Sequence, residues 1–212
     1  MGTAAVVVEL IGVASAAISG AMVAIEKKAD IFGVFFLALI SALGGGIMRD
    51  VLLGYFPPRM FTSYSYLLVV FVSALAVFFD AFSWHERYHA HKDRLDHINN
   101  LFDAIGLASF TVVGMDAAIV SYGLDNPVLV MSMGVVTGVG GGLLRDVLTN
   151  TMPRILVKRV YAVASLLGAA IYYVLLTLGV PTVASEACSM AAVIALRFLA
   201  TKYRWNLPHA EP

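Results

Sequence analysis

The sequence predicts an all-α integral membrane protein with seven transmembrane helices, built from two inverted three-helix repeats and a seventh helix. Three observations lead to this fold class. First, 60% of the 212 residues are hydrophobic and only 13% are charged, with a mean hydropathy of +0.85, whereas about a quarter of a soluble domain is charged. Second, the apolar residues fall into seven runs of membrane-spanning length. Third, one glycine-rich motif occurs twice, once in each half of the chain.

Each of the seven runs holds about 20 mostly apolar residues, the length that an α-helix needs to cross the hydrocarbon core of a bilayer. The predicted spans are 5–25, 33–55, 62–82, 101–122, 127–148, 159–179 and 182–200. The connections are short except for a polar loop, which we expect on the cytoplasmic side. The predicted organisation is a first repeat at 1–82, the loop at 83–100, a second repeat at 101–179, a seventh helix at 180–201 and a C-terminal tail at 202–212.

The positions of Lys and Arg orient the spans. Of the fourteen basic residues, Arg49 and Arg145 lie within spans, and the other twelve lie in loops or at span ends. With the N-terminus outside, eleven of these twelve fall on the inner side and only Arg59 falls outside. Because cytoplasmic loops carry an excess of Lys and Arg, we expect an inner or plasma membrane protein with its N-terminus outside and its C-terminus in the cytoplasm. Trp84 and Trp205 would then lie near the inner interface.

The two halves of the chain resemble each other. Residues 8–26 align with 102–120 at an offset of 94, and GGG-x-x-Arg-Asp occurs at 44–50 and again at 140–146, an offset of 96. Each repeat holds three spans, and because three is odd, the second copy enters the membrane from the opposite side. Inverted repeats with interrupted helices are a frequent plan of transporters, whose pathway lies near the middle of the membrane.

The motif carries two energetic penalties in spans two and five, where its glycines fall near the middle. Each glycine costs roughly 1 kcal/mol against alanine inside a helix, and an Arg or Asp near the bilayer centre costs roughly 2.5–3.5 kcal/mol. We therefore predict that both helices are broken at their glycines. Unwound carbonyls would suit a partly dehydrated cation, whereas the N-terminal dipole of the half-helix after the break would suit an anion, and geometry alone leaves both open. The predicted ion path comprises Gly44, Gly45, Gly46, Gly140, Gly141, Gly142, Ser41, Thr137 and Asp116.

Arg49, Asp50, Arg145 and Asp146 are predicted to form the polar wall of this path. Within each motif the Arg and the Asp are about 100° apart on a helix, so we expect each to find its partner elsewhere in the bundle or to line the path. A purely structural role is the alternative for every one of these groups. The charged residues could only lock helices together, the glycines could only allow close packing, and the two hydroxyls and Asp116 could only bond within the bundle.

Several classes of function have little support in the sequence. The single cysteine, Cys188, excludes a disulfide framework and a thiolate metal site, and a net formal charge of zero offers no footprint for nucleic acid. His85, His89 and His91 lack a fourth ligand at zinc spacing. The sequence has no catalytic constellation, and the motif lacks the Lys-Ser/Thr of a phosphate-binding loop. We therefore expect neither an enzyme nor a cofactor, only permeant potassium or sodium ions.

The doubled motif and the plan of three plus three plus one spans resemble the trimeric intracellular cation (TRIC) channel family in its prokaryotic form. That form overlaps a group of membrane proteins described as a glycine transporter domain. The resemblance covers the chain from Glu9 to about Arg197. It implies a homotrimer in the lipid bilayer, in which each protomer carries its own pore for monovalent cations, chiefly potassium. It also implies that spans two and five are kinked at their glycines and frame that pore.

The sequence departs from this family at two places. Relatives often carry a lysine in span four where this chain has Asp116, and the acidic residue would make the pore more favourable to cations. Animal members bind an inositol lipid through basic residues near the motif. Here Met48 and Leu144 stand immediately before the two arginines, so inositol-lipid binding is not expected.

Three functions stay open at this point. A potassium channel with one pore per protomer is favoured by the resemblance and by the predicted carbonyl-rich breaks. A secondary transporter of a small zwitterion such as glycine is the alternative, because paired Arg and Asp could hold a carboxylate and an ammonium group. A scaffold or an enzyme without transport activity has no motif in its support.

Overall fold

The computed structural model describes residues 3–83, 92–157, 160–203 and 205, and the regular structure of this part of the chain is helical. Helices α1 to α5 are Thr3–Glu26, Ile31–Leu52, Tyr64–Ser83, Lys92–Tyr122 and Pro127–Leu148, and α6 and α7 are Tyr161–Thr177 and Thr182–Lys202. A 3-10 turn at Arg59–Phe61 follows α2, and a helical turn at Arg154–Val157 follows α5. The predicted all-α fold is confirmed.

The helices have the length and composition of membrane spans. Six of them, α1 to α5 and α7, are long and apolar enough to cross a bilayer, and α6 is apolar but only 17 residues long. Large apolar side chains such as Phe32, Leu68 and Phe82 are exposed, as is normal where lipid rather than water surrounds a bundle. The protein is therefore a multi-pass membrane protein.

The N-terminal extension of α4 corrects the predicted loop. The loop prediction over 83–100 is wrong for residues 92–100, where α4 has already begun. Polar residues of this stretch have partners inside the bundle, which a single sequence does not display. The buried Asn99 accepts a hydrogen bond from the Ser19 hydroxyl at 2.6 Å, and the Asn100 amide donates to the Thr201 hydroxyl at 2.8 Å. Trp84, His85, His89 and His91 lie outside the described residues.

The two motif-bearing helices begin in the same way. The Asp30 side chain accepts a hydrogen bond from the Gly33 backbone N–H at the start of α2, and Asn126 accepts one from Leu129 at the start of α5. Such caps satisfy backbone donors that have no partner within the helix. Pro127 follows the second cap in the first turn of α5, where its missing N–H costs nothing. The start of each helix is therefore fixed by local sequence.

Helices α1, α2, α4 and α5 form the centre of the bundle. Helix α3 packs on α1 and α2, and α6 packs in the equivalent place on α4 and α5. Helix α7, which stands outside the repeat, packs on α6 and α4. Small residues such as Ala17, Ala38 and Ala108 are fully buried between these helices, and such residues let helix backbones approach closely.

The predicted helix breaks are wrong. Helix α2 runs without interruption through Gly44–Gly46, and α5 runs through Gly140–Gly142. Gly44, Gly45, Gly140 and Gly141 serve instead as the contact surface between the two helices, whereas Gly46 faces Met60 and Gly142 faces Tyr161. A Cβ placed on Gly45 would overlap the backbone carbonyl of Thr137, and one on Gly141 would overlap that of Ser41. Close packing, the structural alternative for these glycines, offsets their cost in helix propensity.

The crossing of α2 and α5 is antiparallel and reciprocal. Ser41 contacts Gly141 and Gly45 contacts Thr137, so successive contacts move toward the C-terminus of α2 and toward the N-terminus of α5. Each contact has a counterpart under the offset that relates the two halves of the sequence. The equivalent pairs of this crossing are Gly45–Thr137 with Gly141–Ser41 and Gly44–Leu144 with Gly140–Met48. The crossing of α1 and α4 adds the pair Gly12–Phe110 with Gly106–Ala16, at the offset of 94.

Candidate ion path and its ion-pair clusters

A narrow polar cavity lies beside the crossing of α2 and α5. Its volume is about 10 Å³, close to the room that one water molecule needs. Ser41, Asp103, Gly142, Arg145 and Tyr161 line it, together with apolar side chains of α1 and α4. The Ser41 hydroxyl is buried and, within the described chain, has no hydrogen-bond partner. A water molecule or an ion in the cavity would satisfy this hydroxyl.

Some of the predicted path residues lie at the cavity or at the helix crossing, and the others form hydrogen bonds within the bundle. Ser41 and Gly142 line the cavity, and the other motif glycines lie at or beside the helix crossing. The Thr137 hydroxyl instead donates to the Met133 carbonyl of its own helix at 2.6 Å. Asp116 accepts a hydrogen bond from the Tyr172 hydroxyl at 2.5 Å. A place on the ion path stays a prediction for these residues.

A first cluster of polar side chains consists of Glu9, Arg49, Asp50, Arg59 and Tyr66. Arg49 and Asp50 are fully buried, and Nε and Nη2 of Arg49 both lie 2.8 Å from Oδ1 of Asp50. The other carboxylate oxygen of Asp50 accepts a hydrogen bond from the Arg59 backbone N–H at 2.8 Å. Glu9 lies 3.9 Å from Nη1 of Arg49 and accepts a hydrogen bond from Tyr66 at 2.7 Å. The cluster therefore ties α1, α2, α3 and the 3-10 turn together.

A second cluster consists of Asp103, Arg145, Asp146, Arg154 and Arg197. Nε of Arg145 donates to Oδ1 of Asp146 at 2.9 Å, and the Arg154 backbone N–H donates to Oδ2 of Asp146 at 2.8 Å. Asp103 lies 3.2 Å from Arg145, 3.6 Å from Arg154 and 3.4 Å from Arg197. This cluster is the counterpart of the first, with one further arginine supplied by α7.

The two clusters lie on opposite sides of the helix crossing. Arg49 and Arg145 each follow the crossing glycine of their own helix by four residues, or about 6 Å along the axis. Because α2 and α5 run antiparallel there, the two arginines lie on opposite sides of the crossing, and each guanidinium reaches back toward the third glycine of its own motif, Gly46 or Gly142. The narrow cavity reaches Arg145 and Asp103 of the second cluster. Part of the cavity wall is therefore formed by charged groups that are bound to each other.

The mutual pairing of Arg and Asp corrects the expectation that each finds its partner elsewhere. The residues are adjacent, and their Cα–Cβ bonds diverge by about 100°. The arginine side chain is long enough to span this angle, and Arg49 and Arg145 both bind the neighbouring carboxylate. The aspartate uses its second oxygen to hold the segment that follows the helix. Each motif therefore ends in a buried ion pair that fixes the position of the segment that follows its helix.

Three arginines of these clusters were not predicted from the sequence. Arg59 and Arg154 could have been identified from the sequence, because a proline followed by an arginine comes after the motif in both halves, at Pro58-Arg59 and Pro153-Arg154. No comparable sequence pattern identifies Arg197, because α7 lies outside the repeat. Glu9 and Asp103 occupy equivalent positions in the aligned repeats, and the structure shows that both carboxylates face the motif arginines.

In the described part of the chain, no group of three or more His, Cys, Asp or Glu side chains could hold a metal ion. The histidines at 85, 89 and 91 lie outside it. The chemistry available in the described bundle is therefore that of buried ion pairs, hydroxyls and close-packed backbone.

The chain is similar to one family of membrane proteins over most of its length. The family model described as Glycine transporter matches residues 6–81 and 100–177, two segments that divide where the internal repeat divides. A UPF0126 membrane protein of Deinococcus radiodurans is 36% identical over 202 residues, which cover 94% of this chain and 89% of that protein.

Solved structures of TRIC channels are similar over nearly the whole chain. A prokaryotic TRIC channel has a TM-score of 0.86 and 35% identity, with 98% of this chain and 100% of that chain covered. The TRIC trimeric intracellular cation channel orthologue from Rhodobacter sphaeroides has a TM-score of 0.85 and 31% identity, with 96% and 100% covered. These proteins are ion channels rather than enzymes. The resemblance inferred from the doubled motif is confirmed.

Proposed function

This chain belongs to the Glycine transporter family, and on that premise we propose that it is a channel for monovalent cations, chiefly potassium, with one path in each protomer. Solved structures that match almost its whole length at 31–35% identity are described as cation channels.

The observation that carries this proposal is the narrow polar cavity inside a single chain. Both halves of the sequence line it, through Ser41 in the first and Gly142 and Arg145 in the second. A volume of about 10 Å³ leaves no room for a hydrated ion. On this proposal, conduction through the cavity would require the helices that line it to move apart.

The membrane topology and the assembly are part of the proposal. All seven helices cross the bilayer as two inverted repeats and a seventh helix, with the N-terminus outside, in the inner or plasma membrane. The reciprocal contacts between α2 and α5 support the inverted arrangement. Three copies assemble, as the name of the Rhodobacter sphaeroides relative states for that protein. A mass measurement of the purified protein in detergent tests the trimer.

Reconstitution in a planar bilayer with a potassium gradient tests the function. Unitary currents that reverse near the potassium equilibrium potential are expected. Silence of the purified, folded protein under these conditions would reject the channel.

Removal of two equivalent hydroxyls tests the position of the path. The Ser41→Ala variant is expected to lower the unitary conductance about fivefold, because the lost hydroxyl contributes a contact of about 1 kcal/mol to the permeating ion or its water. The matched control is Thr137→Val, which removes the hydroxyl that bonds to Met133 within α5. Equal effects of the two substitutions on current would show that the cavity at Ser41 is not the path.

Selectivity tests the role of Asp116. The Asp116→Asn variant is expected to weaken selectivity for potassium over chloride if this carboxylate faces the path, since it removes a negative charge. Reversal potentials in asymmetric potassium chloride measure this. Unchanged potentials would assign Asp116 to packing, with Tyr172 as its partner.

The description of the family favours a second candidate function, the secondary transport of a small zwitterion such as glycine. The Arg and Asp of each motif bind each other at 2.8 and 2.9 Å, so they do not offer free partners for a carboxylate and an ammonium group at the centre of the bundle. Uptake of labelled glycine into liposomes that contain the purified protein decides this point. Saturable uptake of labelled glycine without potassium current would favour the transporter.

A further inference from the structure

A second and larger cavity, hereafter the end cavity, lies at the end of the bundle where α4 begins and α7 ends. Its volume is about 210 Å³, against about 10 Å³ for the narrow cavity beside the helix crossing. Its wall comes from α4, from α7 and from the helical turn after α5, and includes Asp96, Asn99, Asn100, Arg154, Arg197 and Thr201. A polar cavity of this size has room for several water molecules, whereas the narrow cavity has room for about one.

Side chains of the second cluster and Tyr161 lie between the two cavities. Asp103 and Tyr161 line the narrow cavity, and Arg154 and Arg197 line the end cavity. The Asp103 carboxylate lies 3.4 Å from Nη2 of Arg197 and 3.6 Å from Nη1 of Arg154. The guanidinium carbon of Arg197 lies 4.6 Å from the centre of the Tyr161 ring, which is the distance of a cation–π contact. The residues that line one cavity therefore bind the residues that line the other.

The Tyr161 ring fills the space between α5 and Arg197. Tyr161 is the first residue of α6, and only 5% of it is exposed. Its hydroxyl oxygen lies 3.1 Å from the place that a Cβ of Gly142 would occupy, so the glycine gives the hydroxyl its room against α5. The two arginines are held by ion pairs with Asp103, whereas Tyr161 is held by contacts of its ring. Tyr161 is therefore the side chain of this boundary that can turn without breaking an ion pair.

The first half of the chain is closed differently at the equivalent glycine. Gly46, the counterpart of Gly142, is covered by the Met60 side chain, which is 1% exposed. Met60 is among the lining residues of neither cavity. An apolar side chain thus covers one glycine within the core, and an aromatic ring between two polar cavities covers the other. Met60 is therefore a matched control for Tyr161.

We propose that Tyr161, stacked on Arg197, is the gate between the narrow cavity and the end cavity, and that the end cavity is the vestibule of the ion path. With the ring against Arg197 the two cavities are separate, and Ser41 has no access to the vestibule. When the ring turns away, the cavities join and Ser41 meets water. As a gate for ions the inference rests on the proposed channel function, but the closure itself can be measured without any current.

Reaction of a thiol at position 41 with a small water-soluble cation measures the closure. Ser41→Cys is introduced together with Cys188→Ser, which removes the exposed native thiol. Modification of the purified protein in detergent by aminoethyl methanethiosulfonate is followed by the mass of the intact chain. The reaction is expected to be slow when Tyr161 is present. A rate as high as that of the native Cys188 thiol in the parent protein would show that nothing closes the narrow cavity, and would overturn the proposal.

Substitutions at Tyr161 in this thiol background identify the gate. Tyr161→Ala is expected to raise the modification rate about tenfold, since the rate follows the fraction of molecules that are open. Tyr161→Phe keeps the ring and is expected to react as slowly as the parent. If Tyr161→Ala does not fold, Tyr161→Leu keeps most of the apolar volume without the flat ring, and an increase of about threefold is expected. An unchanged rate in the folded variant, or an equal increase in Met60→Ala, would reject Tyr161 as the gate.

Planar-bilayer recording separates the gate from the channel function. Tyr161→Ala is expected to raise the time-averaged potassium current about tenfold, in step with the open fraction, while Met60→Ala stays near the parent current. If parent and variants all pass no current but show the expected reaction rates, the channel is rejected and the closure at Tyr161 stands. A parent that conducts, with a faster reaction but no larger current in Tyr161→Ala, would place the ion path elsewhere and overturn the gate.

Discussion

Replacement of Asp50 by asparagine is expected to lower the free energy of unfolding by about 3–5 kcal/mol, the cost of breaking a buried ion pair by removing one partner. Arg49 is fully buried, and its next carboxylate, Glu9, is 3.9 Å away. The substitution therefore leaves Glu9, 3.9 Å from Nη1, as the nearest counter-charge of the guanidinium. The equivalent change Asp146→Asn is expected to cost less, because Arg145 also has Asp103 at 3.2 Å.

Unfolding of the purified variants in detergent, by heat or by denaturant, measures this order. The control Asp125→Asn lies at an exposed position and is expected to stay within about 0.5 kcal/mol of the parent protein. Wild-type stability of Asp50→Asn, or a larger loss for Asp146→Asn, would contradict the assignment of these pairs as the fixed ends of α2 and α5.

Replacement of Gly141 by alanine is expected to cost about 1–3 kcal/mol, the usual cost of overpacking a core. The added methyl group would overlap the backbone carbonyl of Ser41, and a backbone atom cannot rotate out of the way as a side chain can. The two helices must separate, so the reciprocal contact at Gly45 is weakened as well.

A second glycine in the core gives the opposite expectation. Gly106→Ala places its methyl group 3.4 Å from Ala16, which is ordinary contact, and the substitution gains up to about 1 kcal/mol of helix propensity. Opposite signs for Gly141→Ala and Gly106→Ala in the same unfolding experiment are expected. A loss of stability in both would mean that the bundle rejects any added volume, and the special closeness of α2 and α5 would not explain the motif.

The membrane bundle could be predicted from the sequence because hydropathy and an internal repeat are properties of the chain itself. Runs of apolar residues marked the helices, and the offset between the two copies of the motif paired them. The predicted break at the glycines was wrong because the sequence shows only the properties of each segment by itself. The sequence displays what Gly44–Gly46 cost in helix propensity, but the close contact that offsets the cost belongs to α5, which lies about ninety residues away along the chain.

The sequence predicted which motif residues belong to the candidate site, but not which of them bind each other. The motif arginines and aspartates were identified because charged residues inside spans are rare. Their mutual pairing depends on the reach of a flexible side chain, which angular spacing on a helix does not determine. Arg197 could not be anticipated, since its place in the second cluster depends on how α7 packs against α4.

The crossing of α2 and α5 joins two stretches of chain that are copies of each other, and each meets its counterpart through the same positions. A surface of this kind is self-complementary, as in a two-fold symmetric dimer. An ancestral three-helix chain that inserted into the membrane in both directions could have built the same crossing from two identical molecules. Gene fusion would then have locked one copy in each direction and freed the copies to diverge. The difference between Ser41, whose hydroxyl has no hydrogen-bond partner among the described residues, and Thr137, whose hydroxyl is bound within its own helix, is the kind of asymmetry that only a fused pair can acquire.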